Sequence, residues 1–315
     1  MPPQISLIVP VYDEEENIRP LHQAIQQVLS EHHFEVIYIN DGSTDQSAQI
    51  LDEIAKADPR AQIIHFVRNY GQTAALTAGF RQAQAEIVVT LDADLQNDPK
   101  DIPNMLAHLD RADVVCGWRK DRKDNYLTRT LPSKAANWLI SKLSNVHLHD
   151  YGCTLRVYKK AFIEDIPLYG EMHRFIPIYV TWAGAKIIEL PVKHHPRTKG
   201  VSKYGLWRIP KVLLDLTTLK FLRDFFVTPI YFFGCFGLLM LFAGVVCTAL
   251  AFGIWLQNPT TVAVPILAIL GPLMAILGVV EITLGVIAEV LIRMHFESQK
   301  KEPYRIARHV TQSVE

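Results

Sequence analysis

The sequence predicts a mostly parallel α/β sheet domain followed by interfacial helices and a two-helix transmembrane hairpin. Three observations predict it. Four short runs of strand formers alternate with helical patterns within the first 95 residues, the pattern of a parallel sheet with crossover helices. Each run ends in a loop rich in Asp, Asn, Gly or Arg, and such sheets bind ligands at the carboxyl ends of their strands. From residue 225 to residue 280 there is no Asp, Glu, Lys or Arg at all.

Ile5 to Val9 is short, apolar and β-branched, the mark of a strand buried on both faces. Pro10 is expected to end it, and Val11-Tyr12-Asp13-Glu14-Glu15-Glu16-Asn17 leads into a helix over about 18–29. Acidic residues in that first turn also suit the helix dipole. Ile18, Leu21, Ile25 and Val28 or Leu29 then recur at helical spacing. Phe34 to Ile39 is a second strand, closed by Asn40-Asp41-Gly42-Ser43-Thr44-Asp45 ahead of a helix from Ala48 to Lys56. Ile63 to Val67 is a third, followed by Arg68-Asn69-Tyr70-Gly71-Gln72 and a helix from about Thr73 to Ala83. Glu86 to Thr90 is the fourth, and it runs into Leu91-Asp92-Ala93-Asp94-Leu95-Gln96. Two carboxylates at i and i+2 with an amide oxygen beyond form a set of hard oxygen donors, suited to Mg²⁺ or Mn²⁺ bound together with phosphates. Taken alone, the hexapeptide reads equally well as a strand end capped by turn-forming Asp. Tyr12, Asp41 and Arg68 at the neighbouring strand ends favour a binding site.

A helix over Met105 to Leu109 and a fifth strand over Asp113 to Gly117 come next, then the basic loop Arg119-Lys120-Asp121-Arg122-Lys123. Leu131 to Val146 reads as a helix that either packs on the sheet or lies on a membrane. Asp150 to Tyr158 is a loop-to-strand unit, His173 to Pro177 precedes a helix, and Ile187 to Val192 is a late strand. The loop from Pro196 to Tyr204 is basic and carries Gly200, a composition that can grip phosphate. Leu206 to Leu222 is amphipathic and expected to lie in a membrane interface.

Phe225 to Leu256 and about Val262 to Ile292 are each long enough to span, since a helix needs about 20 apolar residues. Gln257 to Thr261 is the turn between them. Arg208, Lys211, Lys220 and Arg223 before the pair, and Arg293, Lys300, Lys301, Arg305 and Arg308 after it, mark the cytoplasmic side. The expected division is therefore 1–204, 205–224, 225–292 and a basic tail over 293–315. Glu281 stands within the second span, where a carboxylate is a functional candidate or a helix-contact residue. Two spans make no bundle of their own, which leaves homo-oligomerisation through the hairpin open.

Lys and Arg total 32 and Asp and Glu total 32, so no charge excess favours a nucleic-acid partner. The four cysteines form neither a metal pattern nor a disulfide pattern, as expected of a reducing compartment. Met1-Pro2-Pro3-Gln4 runs straight into the first strand, and no signal peptide is expected there.

With these pieces in order, the chain resembles family 2 glycosyltransferases of the polyprenyl-phosphate type. That group includes dolichyl-phosphate mannose synthases, bactoprenol glucosyltransferases and the undecaprenyl-phosphate formamido-arabinose transferase. The resemblance rests on Val9-Pro10-Val11-Tyr12-Asp13-Glu14, Asn40-Asp41-Gly42-Ser43, Leu91 to Gln96, Leu155-Arg156-Val157-Tyr158, and Arg197 with Gly200-Val201-Ser202-Lys203-Tyr204. Arg68 to Gln72 and Asp150 to Cys153 resemble the formamido-arabinose branch.

The resemblance implies a GT-A fold with a Rossmann-like, mostly parallel sheet. It implies transfer of a sugar from a nucleoside-diphosphate donor, with uridine the expected base and guanosine the alternative, to a polyprenyl (undecaprenyl) phosphate with inversion. The product would be a lipid-linked monosaccharide for cell-envelope glycan or lipid A modification, made at the bacterial inner membrane with the catalytic domain cytoplasmic. Pro10, Tyr12, Glu14 and Asp41 would hold base and ribose, Asp92 the ribose or sugar side, and Asp94 with Gln96 the Mg²⁺ or Mn²⁺. Arg119, Arg122, Arg197 and Lys203 are candidates for the acceptor phosphate and the leaving diphosphate. Some relatives carry an acidic residue two positions before the strand arginine, where this chain has Thr154. Asp150 is the nearest carboxylate and is expected to position a substrate. A phosphate monoester has a second pKa near about 6 and arrives largely ionised, so Asp150 is not expected to be an indispensable base. The alternatives are a processive polysaccharide synthase, whose Gln-x-x-Arg-Trp motif is absent, and a non-catalytic partner in sugar-lipid handling.

Overall fold

The computed structural model describes residues 2–120, 137, 140–164, 166, 168, 170, 172–196, 221 and 229–299. The chain divides into two compact units, Met1–Thr217 and Thr218–Glu315. The expected boundary at Tyr204, the amphipathic segment apart from Phe221, and the basic tail beyond Gln299 lie outside the described residues; residues 293–299, expected to open that tail, instead continue a helix.

The first unit is built on a seven-stranded sheet in the order β3-β2-β1-β4-β6-β5-β7. The strands are β1 (Ile5–Val11), β2 (Phe34–Asn40), β3 (Ala61–His65), β4 (Ile87–Thr90), β5 (Val114–Trp118), β6 (Arg156–Lys159) and β7 (Ile187–Pro191). The first four pair in parallel, and so do β5 and β7. β6 lies antiparallel between β4 and β5. Among the described residues, the helices of this unit include α1 (Glu15–Val28), α2 (Ser47–Ala57), α3 (Gln72–Gln82), α4 (Ile102–Leu106) and α5 (Ile176–Trp182), and residues 140–144 are helical as well. α1 buries Ile18, Leu21 and Ile25, the apolar stripe its spacing predicts. β2 is buried at all seven positions, as a strand covered on both faces must be.

Pro10 does not end β1. The strand continues to Val11, and Pro10 stands opposite Ile39 of β2. Leu91 N donates to Ile8 O at 3.1 Å, so the even-numbered residues of β1 turn their backbone polar groups toward β4. Pairing with β4 stops at Ile8. The N–H that proline lacks therefore faces a side with no ladder left to complete.

The second unit carries α6 (Pro229–Gln257) and α7 (Ala263–Gln299). Pro229–Gln257 and Ala263–Ile292 are 29 and 30 residues long and apolar enough to cross a membrane. Large side chains such as Leu239, Phe242, Ile269 and Ile276 point outward and are exposed. Small residues close the seam between the two helices. A Cβ on Gly237 would come within 2.7 Å of Gly278 O, and one on Gly244 within 2.6 Å of Gly271 O. The glycines recur every seven residues on each helix, which keeps one face toward its partner and lets the backbones touch. Glu281 lies in α7 and is half-buried.

Candidate active site

The loops after β1, β2 and β3 are tied to one another by their own side chains. Asp41 N donates to Val11 O at 2.8 Å, and the Asp41 carboxylate accepts Tyr70 N at 2.7 Å and Gly71 N at 2.9 Å. Burial raises the Asp41 pKa, and those two N–H groups oppose the shift. Asp13 N donates to Ser43 Oγ at 3.0 Å, while Asp13 Oδ1 accepts Thr44 N at 2.7 Å. Glu14 N donates to Ser47 Oγ at 3.0 Å, and Glu14 Oε2 accepts Asn17 Nδ2 at 2.6 Å. Gly42 has φ 68, and any Cβ there would lie 2.3 Å from the Arg68 carbonyl carbon, so only glycine fits between the second and third loops. Pro10 and Tyr12 are half-buried at the same end. The result is one braced cluster of loops, assembled from three strand ends.

Asp92 follows β4 and points among groups from three other elements. Its Oδ1 accepts Gln72 Nε2, at the start of α3, at 2.7 Å. Thr154 hydrogen-bonds it from the loop before β6, and the charges of Arg119 and Arg156 act on it. Burial, with the Asp94 carboxylate as the second cause, pushes Asp92 up to about 7. Asp94 Oδ1 accepts Gln96 N at 3.2 Å, and Leu95 between them takes φ 58, in the left-handed region. The chain therefore bends at Leu95, between Asp94 and Gln96. Gln96 O accepts His195 N at 2.8 Å, and Asn97 bridges His194, so the segment after β7 packs against this loop.

Arg119, one residue past β5, forms a two-pronged pair with Asp150. Its Nε donates to Oδ2 at 2.7 Å and its Nη2 to Oδ1 at 2.9 Å. The pair is nearly dry, with side chains 12% and 3% exposed. Burial opposes the charge on Arg119, and the Asp150 carboxylate outweighs it and raises the pKa. Asp150 also accepts Arg119 N at 3.3 Å and Gly152 N at 3.0 Å. Both carboxylate oxygens of Asp150 are therefore engaged. Arg122, Arg197 and Lys203 lie outside the described residues.

Several residues of this cluster are assigned no site role by the sequence. Arg156 is 3% exposed in the middle of the sheet, with Nη2 donating to Tyr151 O at 2.6 Å and Nη1 to His173 O at 3.2 Å. Its charge between Leu155 and Val157 was a signal, since a buried arginine needs acceptors around it. Gln72, Thr154 and Glu189 carry no such local signal.

A match to the model described as Glycosyl transferase family 2 covers residues 6–166, about half the chain and all of the strand-end loops just described except those beyond β6. The chain belongs to that family. Among the relatives of this glycosyltransferase is a dodecaprenyl-phosphate galacturonate synthase from Rhizobium johnstonii. It is 43% identical over 242 residues, 75% of this chain and 72% of that protein. An undecaprenyl-phosphate 4-deoxy-4-formamido-L-arabinose transferase from Pseudomonas fluorescens is 37% identical over 254 residues, 79% of this chain and 74% of that one. Among solved structures, glucosyl-3-phosphoglycerate synthase from Mycobacterium tuberculosis, in complex with Mn²⁺ and uridine-diphosphate-glucose, aligns with a TM-score of 0.52 at 17% identity. That alignment covers 69% of this chain and 79% of the other. At that identity the likeness is one of fold: a GT-A-like mixed sheet.

Proposed function

We propose that this glycosyltransferase moves a sugar from a UDP-sugar to a polyprenyl phosphate of the undecaprenyl type, with inversion, at the bacterial inner membrane. The observation that carries the reading is the meeting of two kinds of charge at one sheet edge. The Asp92–Asp94 carboxylates stand beside a dry Arg119–Asp150 pair, within electrostatic reach of one another. The relatives named for dodecaprenyl and undecaprenyl phosphate support the acceptor class, and the two membrane-length helices support a lipid substrate.

Asp94 and Gln96 are proposed as ligands of Mg²⁺ or Mn²⁺. Their donor atoms fit, because hard oxygens suit these ions, and the mutual repulsion of Asp92 and Asp94 is what a divalent cation relieves. Among the described residues no three His, Cys, Asp or Glu side chains cluster as a full ligand set, so the donor diphosphate would complete the shell. When bound, the ion supplies charge stabilisation to the departing nucleoside diphosphate.

Pro10, Tyr12, Glu14 and Asp41 form the proposed base and ribose wall, with Asp92 toward the ribose or sugar and Arg197 on the donor side. Arg119 receives the acceptor phosphate, with Arg122 and Lys203 as further cations. Asp150 orients Arg119 and holds it against thermal drift, which a carboxylate engaged on both oxygens is suited to do. The phosphate, largely dianionic near neutrality, attacks the anomeric carbon directly; that single displacement is the basis for inversion.

The test is to incubate the full-length protein in detergent with undecaprenyl phosphate, a divalent metal and a panel of UDP- and GDP-sugars. The panel should include a hexuronate and a formamido-pentose. A polyprenyl-phosphate monosaccharide in the product mass spectrum is expected. Nucleotide-sugar binding without transfer from any donor would instead favour a non-catalytic role in sugar-lipid handling.

A further inference from the structure

Resting on that reading, we propose that Glu189 is a positioning residue for the acceptor phosphate, acting through Asp150 on Arg119. Glu189 belongs to β7, an edge strand of the sheet, where a glutamate is ordinarily a solvated side chain. Here its side chain is only 11% exposed. Its two oxygens accept His149 N at 2.9 Å each, Oε1 accepts Asp150 N at 3.2 Å, and Oε2 lies 2.8 Å from His149 Nδ1. One carboxylate thus fixes two consecutive backbone amides and a side chain.

Those amides belong to the residue that grips Arg119 and the residue before it. The chain of contacts closes on itself. Glu189 stands opposite Cys116 in the β5–β7 ladder, three residues before Arg119, which follows the end of β5. Trp118 between them stacks on the His149 ring, with centroids 4.4 Å apart and planes 22° apart. On the other side of the loop, Arg156 holds Tyr151 O at 2.6 Å. Asp150 is therefore clamped from β6 and from β7, and the guanidinium it carries has little room to drift. A glutamate placed only for fold stability has no need to address the two amides next to the acceptor-side pair. Positioning within a fraction of an ångström is what a phosphate nucleophile requires, since a misplacement of about 1 Å can lower rate about a hundredfold.

The test compares Glu189→Ala and Glu189→Gln in the full-length protein in detergent. KM for undecaprenyl phosphate and for the nucleotide sugar is measured separately, together with amide hydrogen exchange over 148–152. Glu189→Ala is expected to raise the acceptor KM about tenfold while the donor KM stays within about twofold. Exchange at 149–150 should accelerate without change in peptides from β1 to β4. Glu189→Gln keeps one acceptor oxygen and should recover part of both effects; it also serves if the alanine variant does not fold. Wild-type acceptor KM and wild-type exchange in the alanine variant would overturn the proposal, as would equal losses for donor and acceptor. If the wild-type protein transfers no sugar, the functional reading fails while exchange still decides for or against the clamp, unchanged rates counting against it.

Discussion

Gly152→Ala is the smallest change that tests whether Arg119 must sit where Asp150 holds it. Gly152 is not in the left-handed region, so alanine is compatible with its backbone. The added Cβ would lie 2.9 Å from Arg119 Nη2 and 3.4 Å from Asp150 Oδ1. Ordinary carbon–nitrogen contact begins near about 3.5 Å, so the guanidinium must retreat by roughly half an ångström. The Arg119 Nη2–Asp150 Oδ1 bond is already 2.9 Å, and the same retreat takes it beyond normal hydrogen-bond length. Loss of one charge-assisted bond costs about 1.5–3 kcal/mol, less whatever the remaining Nε bond retains. Thermal unfolding should therefore show a folded protein of reduced stability. Under the proposed reaction, transfer to undecaprenyl phosphate should fall about 10- to 100-fold, with UDP affinity by calorimetry unchanged. A Gly152→Ala enzyme that transfers at the wild-type rate would refute the claim that Arg119 placement limits the reaction.

Asp94→Asn should abolish the enhancement of UDP binding by Mn²⁺ or Mg²⁺ while leaving the melting temperature near wild type, as read by calorimetry with and without metal. Burial would raise Asp58, but hydrogen bonds from the Arg60 side chain and backbone and from Gln26 hold its carboxyl well below the usual carboxylate range. A group depressed in the folded state contributes stability above its unfolded value of 3.8, and the contribution is lost as pH falls through the folded value. Denaturant unfolding of Asp58→Asn should therefore be weaker than wild type by about 1–3 kcal/mol near neutrality, and that deficit should shrink below about pH 4. Gly278→Val places side-chain atoms where a Cβ alone is 2.5 Å from Gly237 O. The α6–α7 seam must open, and heat inactivation in detergent should occur at lower temperature than in Val279→Ala, which changes an exposed position.

The first four strands and their order of appearance were legible because each is a short apolar run punctuated by Pro, Gly, Asn or Asp, and those punctuators are local. Pairing partners are not local. Nothing in Arg156-Val157-Tyr158-Lys159 announces that it inserts antiparallel between β4 and β5. Pro10 misleads for the same reason: whether a proline ends a strand depends on which neighbour its missing N–H would have faced. The Asp92–Gln96 loop was readable because its donors lie within five residues. The Arg119–Asp150 pair joins positions 31 apart, and Glu189 acts from 39 or 40 residues beyond the amides it holds. Such couplings are set by sheet order, which spacing in one sequence does not encode.

The charge arrangement suggests why the proposed acceptor needs little else from the protein. A hydroxyl acceptor must shed a proton, so its enzyme needs a carboxylate with an open oxygen near the attacking atom. Asp150 is the nearest motif carboxylate, yet its oxygens are committed to Arg119 and to the Arg119 and Gly152 amides. Withdrawing one to accept a proton would leave a buried guanidinium poorly paired, which is expensive. A phosphate monoester near neutral pH makes no such demand; it requires a fixed cation and protection from the donor's own negative charge. The Arg119 guanidinium would supply the first. Asp94 and Gln96, with a divalent ion on the diphosphate, would supply the second. Under this reading Asp150→Asn should weaken acceptor binding more than it slows a single turnover at saturating acceptor, the reverse of what loss of a general base produces.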